Sequence, residues 1–248
     1  GVEANVRLVS IQFRIFRNRK DRESKRVRIR EMSAEVPGEW DAMPPDFNPS
    51  IAHCVPLHSD SSERLLVQTM LQQSCPSLRL VSISRVQWPR LWRNYIFYRD
   101  TELADEPNEM LLFHGTGAQS AADVFAHPHG LDPRFAAQGF YGRGIYLAED
   151  ANYPIGGRYA HRVRGSGGRR MELLLVRSAL GKQQELGQCI SAETRAMLMP
   201  GVQSEGPPRL LYGSVRAGPH RPFLSGTGEV GLNASIVHVV YDSRQLYP

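Results

Sequence analysis

Apolar and polar residues alternate through Val9, Ile11, Phe13 and Ile15, and again around Val27 and Ile29 among arginines. Period-two alternation marks half-buried strands, so this stretch predicts a hairpin with a charged turn. The pattern lapses in EVPGEWDAMPPDFNPS (35–50), whose four prolines mark a linker or domain entrance. From about residue 51 a globular pattern builds up. In SSERLLVQTMLQQ, Leu65, Leu66, Thr69 and Met70 recur at helical spacing behind a serine cap at Ser61 or Ser62. LRLVSISRVQW reads as a strand. PRLWRNYIFYRD reads as a helix with Pro89 at its first position and Leu91, Trp92, Tyr95 and Ile96 on one face. Further on, LLF (111–113) ends a buried strand, SAADVF makes a short helix, and MELLLVR (171–177), RLLYGSV (209–215) and SIVHVVYD (235–242) read as strands. Residues 181–208 are polar with little periodicity, which predicts a surface loop. Helices cluster early and strands late without βαβ alternation, so the class is α+β and not a doubly wound parallel sheet.

Composition changes this picture modestly. The chain has 248 residues, 41% of them hydrophobic, enough for one full core plus an appendage. No apolar run approaches the roughly 20 residues that span a bilayer, and no secretory signal is visible. Cys54, Cys75 and Cys189 are odd in number and far apart, which speaks against a disulfide framework or a zinc site. The expectation is an intracellular protein, cytoplasmic or nuclear, with no membrane partner and no metal. His127 and His129 flank a proline without Cys, Asp or Glu at ligand spacing.

Charge is concentrated at one end. Arg17 to Arg30 holds eight basic residues against Asp21 and Glu23, more positive charge than the +5 of the whole chain. Residues 1–40 therefore read as a basic arm and linker, and residues 41–248 as the main domain. The arm has three open readings: a solvated turn, a phosphate-backbone binder that would make nucleic acid a partner, or a localisation signal.

Two stretches carry candidate chemistry. In LLFHGTGAQS (111–120), His114 stands where an apolar strand breaks into a glycine-rich turn. It is either a satisfied core histidine or one of a pair, with Thr116, that grips a ligand lying along the Gly115 and Gly117 backbone. In GFYGRGIYLAEDANYPIGGRY (139–159), Tyr146, Tyr153 and Tyr159 either pack in the core or form an aromatic slot for a flat ring. Two apparent motifs fail. GTGEVG (226–231) runs into a strand where a dinucleotide fingerprint needs a helix. LGKQQ lacks the upstream glycine and following hydroxyl of a phosphate loop.

LFHGT, GRGIYLAEDANY and VVYDSRQLYP, in that order and at suitable separations, resemble three signature strands of the poly(ADP-ribose) polymerase family of ADP-ribosyltransferases. VQWPRLWRNY and NEMLLFHGT are similar to the approach to the histidine in members that attach a single ADP-ribose. The resemblance runs from about Trp88 to Pro248, and more loosely back to about residue 50. It implies the ADP-ribosyltransferase fold, two packed, mostly antiparallel sheets with flanking helices. It also implies NAD as co-substrate and a protein acceptor. By the resemblance, His114 holds the nicotinamide-ribose hydroxyl, Gly115 bonds the carboxamide through its main chain, and Thr116 lies toward the adenosine ribose. Tyr146 is the triad tyrosine, Tyr159 stacks on the nicotinamide, and Arg134 in GLDPR is a donor-loop contact; Tyr153, from the aromatic slot, is counted with them as cofactor-binding. Counting back along VVYDSRQLYP, the third triad position falls on Val237, or Ile236 with a one-residue slip, where polymerising members have glutamate; Glu229 is the nearest glutamate. Pro154 stands where the family often has a serine that bonds the carboxamide.

A carboxylate at the third position would stabilise the cationic centre and polarise a hydroxyl acceptor. Val237 does neither. The expected function is transfer of one ADP-ribose from NAD to an acceptor, taken to be acidic protein side chains, with release of nicotinamide. The alternative is a weak or inactive NAD-binding interaction module, nucleic-acid associated through its arm.

Overall fold

The computed structural model describes residues 5–9 (backbone), 36–76, 78–165, 170–203, 210–221 and 234–248. The hairpin predicted beyond Val9, the basic residues from Arg17 to Arg30, and Glu229 lie outside these residues.

Among the described residues, eleven strands and five α-helices follow in chain order: β1 (Asn5–Val9), β2 (His53–Pro56), α1 (Ser62–Ser74), β3 (Arg79–Gln87), α2 (Pro89–Thr101), β4 (Glu109–His114), α3 (Ala121–Ala126), β5 (Ile145–Ala148), α4 (Asn152–Gly156), β6 (His161–Arg162), β7 (Arg170–Ala179), β8 (Gln183–Gly187), α5 (Ala192–Arg195), β9 (Ser214–His220), β10 (Ser235–Val240) and β11 (Leu246–Tyr247). Hydrogen bonding links them in the order β2-β3-β1-β7-β4-β5-β10-β9-β8, with β6 and β11 also on β7. Only one residue pair, Phe113 with Ala148, joins β4 to β5. The path therefore falls into two sheets hinged at that pair, mostly antiparallel, as the α+β ADP-ribosyltransferase class requires. Among the described residues, parallel pairing is confined to β1 between β3 and β7 and to β8 beside β9. Asn5–Val9 thus belongs to the main sheet, on the body side of the boundary drawn at residue 40.

The unbroken apolar run of MELLLV makes β7 the spine. It is buried from Met171 to Ala179, with strands on both edges. Against one face, α2 packs Leu91, Trp92 and Tyr95. There the Tyr247 hydroxyl donates to the Val86 carbonyl at 2.7 Å and accepts from the Trp88 amide at 3.1 Å, tying the C-terminal strand to the start of α2. A second cluster gathers Val67 and Leu71 of α1 with Ile83, Phe113, Leu173 and Leu175. The α1 cap is as predicted, Ser61 accepting from the Arg64 amide at 3.2 Å. Its buried face is not, because Val67 and Leu71 point inward while Leu65 is 56% exposed. The helix is rotated so that its β-branched and leucine pair meets the sheet, a choice that periodicity within a short, weakly amphipathic helix leaves open.

The stretch 181–208 differs from expectation. It contains β8, which pairs with β9, and the short helix α5. The strand predicted at 209–215 begins at Ser214 and runs to His220. The polarity of QQELG suits a strand at the end of the sheet, which among the described residues pairs only with β9.

Candidate functional site

A cavity of about 840 Å³ opens where β4 and β5 diverge past their single shared pair. It has two walls. One is the turn after β4 together with residues 153–159; the other is the turn 138–144 before β5, backed by α5.

The first wall is closed by backbone. His114 ends β4, and its Nδ1–H donates to the Tyr146 carbonyl at 2.8 Å. A carbonyl only accepts, so the proton sits on Nδ1 and neutral His114 presents Nε2 as an acceptor. Burial pushes its pKa below the ordinary histidine value, opposed by the bond to Tyr146. Gly115 serves the fold first. A Cβ there would lie 2.5 Å from the carbonyl carbon and oxygen of Tyr159 and 2.7 Å from the Ala160 nitrogen. Gly117, at φ +65°, has nothing within 4 Å of such a carbon, and its amide donates to the Tyr159 carbonyl at 2.6 Å. The two glycines thus let chain pack on chain at 115 and turn left-handed at 117. Thr116 donates its hydroxyl to the Gln119 carbonyl at 2.6 Å, closing the same turn.

Tyr159 emerges from this packing with a free face. Its amide and that of Ala160 both donate to the Pro154 carbonyl, at 2.8 and 2.9 Å. Its ring folds over Gly157, where a Cβ would meet ring carbon at 2.3 Å. Ring centroids of Tyr153 and Tyr159 are 5.8 Å apart at 34°. Tyr153 is 8% exposed and Tyr159 40%, so Tyr153 supports the site from the core while Tyr159 offers a face to the cavity.

Tyr146 belongs to both walls. Its carbonyl orients His114, while its hydroxyl donates to the Gly142 carbonyl at 3.0 Å and accepts from the Tyr141 amide at 2.8 Å. Burial lifts its pKa to about 12, so it stays a phenol. A Cβ at Gly139 would lie 2.5 Å from that hydroxyl.

The second wall rests on a segment the sequence does not advertise. Gly142, at φ +75°, would drive a Cβ to 1.8 Å from the Met197 carbonyl oxygen. The Arg143 backbone amide donates to that same oxygen at 3.1 Å, the Thr194 hydroxyl to the Phe140 carbonyl at 3.0 Å, and Gln138 Nε2 to the Arg195 carbonyl at 2.6 Å. The Arg195 guanidinium lies over the Phe140 ring, 4.7 Å from its centroid, and lines the cavity. One signal could have found this helix: Ser191 followed by Glu193 and Thr194 is a helix-start pattern, and Ser191 does cap α5.

His114, Gly115, Thr116, Tyr146, Tyr153 and Tyr159 all line this one cavity; Arg134 and Val237 do not. Arg134 is clasped by Asp132 through Nε at 3.0 Å to both carboxylate oxygens and Nη2 at 2.6 Å, with its side chain 71% exposed. The clasp holds the Asp132 carboxyl below its ordinary range. Asp242 and Arg244 repeat it away from the cavity lining, so it is a property of the Asp-x-Arg turn. Val237 is the residue at the third triad position implied by the resemblance. It is 1% exposed, in an apolar cluster with Tyr141, Ala148, Tyr153 and Val239. Its cross-strand partner Ala148 lines the cavity in its stead. Among the described residues no group of three or more His, Cys, Asp or Glu is placed to hold a metal ion, and no helix is long and apolar enough to cross a membrane.

Comparison with known proteins bears on the same segments. Residues 61–205 match the family model of the poly(ADP-ribose) polymerase catalytic domain. The chain is 26% identical over 202 residues, 79% of its length, to protein mono-ADP-ribosyltransferase PARP14 of Homo sapiens. It is 31% identical over 88 residues, 34% of its length, to protein mono-ADP-ribosyltransferase PARP10 of Mus musculus. It spans 10% and 9% of those two proteins. The family match takes in both walls, from α1 through the turn carrying His114 to α5, and covers more than half of the 248 residues. The chain belongs to the poly(ADP-ribose) polymerase catalytic-domain family.

Proposed function

We propose that this chain transfers a single ADP-ribose from NAD to an acidic side chain of an acceptor protein, releasing nicotinamide. The observation that carries the reading is the bond from His114 Nδ1 to the Tyr146 carbonyl, which leaves Nε2 as an acceptor in the cavity that the open face of Tyr159 also lines.

Cleavage of the nicotinamide–ribose bond develops positive charge at the ribose carbon and expels a neutral ring. Such a reaction needs the ribose oriented and the ring clamped more than it needs a strong base. Neutral His114 suits the first task, accepting a ribose hydroxyl proton at Nε2 without adding positive charge beside a cationic centre. Tyr159 suits the second, since ring stacking contributes about 0.5–1.5 kcal/mol beyond the buried area. Lengthening a chain would require activation of a ribose hydroxyl, a poor nucleophile near neutral pH. With Val237 in the apolar cluster, that position supplies no proton acceptor. A carboxylate acceptor is already ionised and complements the developing charge.

Incubation with NAD labelled in the adenosine half tests this. The expected result is stoichiometric nicotinamide release and discrete label on protein that hydroxylamine removes, as an ester link requires. Long heterogeneous ladders, or label stable to hydroxylamine, would contradict it.

A further inference from the structure

We infer that Arg195 is the acceptor-recognition residue of this site, receiving the carboxylate of the incoming side chain beside Tyr146. The inference rests on the transferase reading and adds to it the group that selects the acceptor. Arg195 is an exposed cation with its guanidinium on the Phe140 ring, in the cavity wall that Tyr146 shares. It is near enough for its charge to act on the Tyr146 hydroxyl. Among the described residues it has no carboxylate within ion-pair distance, whereas Arg134 is clasped by Asp132, and Arg99 and Arg177 share Glu109.

An arginine held flat on an aromatic ring, its fork unpaired, is built to take a planar carboxylate. Its backbone is fixed to the Tyr146 turn through Gln138, Thr194 and Met197, so the charge is held in place relative to the reacting centre. Its neighbours favour a protein acceptor over a nucleic-acid end. Leu198 and Met199, three and four residues on, are 70% and 55% exposed. A cation flanked by exposed apolar side chains suits a peptide; Arg158, the other arginine of the lining, stands on the opposite wall with residues 153–159.

In the transfer, an acceptor carboxylate oxygen supplies the electron pair for the new bond to the ribose carbon. The bond to nicotinamide breaks, its electron pair leaves on the ring nitrogen, and no proton has to be removed. Arg195 draws the carboxylate in and aligns it. Water needs no such help to attack the same carbon.

The test compares wild type with Arg195→Ala and Arg195→Lys, using an Asp/Glu-rich peptide, and measures peptide labelling and nicotinamide release separately. Arg195→Ala is expected to lower the ratio of labelling to release about tenfold, the effect of losing one charge-assisted hydrogen bond. KM for the peptide should rise more than KM for NAD, and Arg195→Lys should recover part of the loss. An unchanged ratio would overturn the assignment. A parallel loss of labelling and release with raised KM for NAD would also overturn it, by giving Arg195 to the donor, and would leave the transferase reading intact. Wild-type labelling of a 5′-phosphorylated oligonucleotide in preference to the peptide would overturn the acceptor class. Wild-type protein that releases no nicotinamide would overturn the transferase reading and this inference with it.

Discussion

The two walls of the cavity are made by the same device from very different sequence. In each, a glycine turn is pressed onto a backbone carbonyl of another segment: Gly115 on Tyr159, Gly142 on Met197. In the first wall both partners lie in stretches with a visible pattern, a histidine at a strand end and a tyrosine beyond a glycine pair. In the second, the turn before β5 is patterned but its partner lies in a polar stretch some fifty residues on. A site can thus be half legible, because a close backbone approach marks the chain that must be glycine and leaves no mark on the chain it meets.

Glycine substitutions break this comparison most sharply. Gly142→Ala combines a left-handed residue with a backbone overlap and should cost about 4 kcal/mol. Gly115→Ala has the overlap without the left-handed strain and should cost about 2–3 kcal/mol. Gly117→Ala, left-handed in open space, should cost about 1 kcal/mol. Urea denaturation of the three proteins gives the order, and equal losses would refute the packing account.

Two tyrosines in the first wall separate support from contact. Tyr153→Ala opens a core cavity and should cost about 3 kcal/mol in the same denaturation series. Tyr159→Ala should leave stability nearly unchanged while shrinking the melting shift given by a nicotinamide-mimicking ligand, in line with a tenfold weaker Kd. A large shift retained in Tyr159→Ala would remove the ring from the site.

The second wall has its own smaller test. Thr194→Val deletes the hydroxyl that donates to Phe140 and accepts from the Ser191 amide, and should cost about 1–2 kcal/mol. Because it loosens only the α5 side, the melting shift from the nicotinamide mimic should persist. Its disappearance would mean that the walls are not separable.

The smallest effect expected is in pH. The His114 pKa lies below 6.5, so the imidazole is neutral from pH 8 down to that value and Nε2 can accept throughout. NAD affinity should be flat over that range and fall only as the pH drops below 6.5, where protonation turns the acceptor into a donor. A decline already between pH 8 and 7 would place the titration elsewhere.

How much could be read beforehand follows from the same contrast. Pro89, the apolar face of α2 and the MELLLV run were legible because each is set by local spacing and burial. His114, Tyr146 and Tyr159 could be singled out because they stand beside glycines that the chain needs. The buried face of α1 turned on Val67 and Leu71, which only the sheet's shape selects. Arg134 is turned onto Asp132, two residues away, a local partner that a motif does not weigh. Val237 shows the limit of counting along a strand: the count fixed its face, while Tyr153 and Ala148 decided that it would be covered. Arg195 was hidden because β8 and α5 are polar edge elements without apolar periodicity.

The proposed transfer puts NAD between these walls with its reacting ribose at His114. A crystal structure with an uncleavable NAD analogue tests it most directly. The expected complex has the nicotinamide ring on the open face of Tyr159, a ribose hydroxyl within hydrogen-bond reach of His114 Nε2, and the adenosine extending past Thr116. An analogue bound elsewhere, or a cavity that stays empty at saturating analogue, would contradict it.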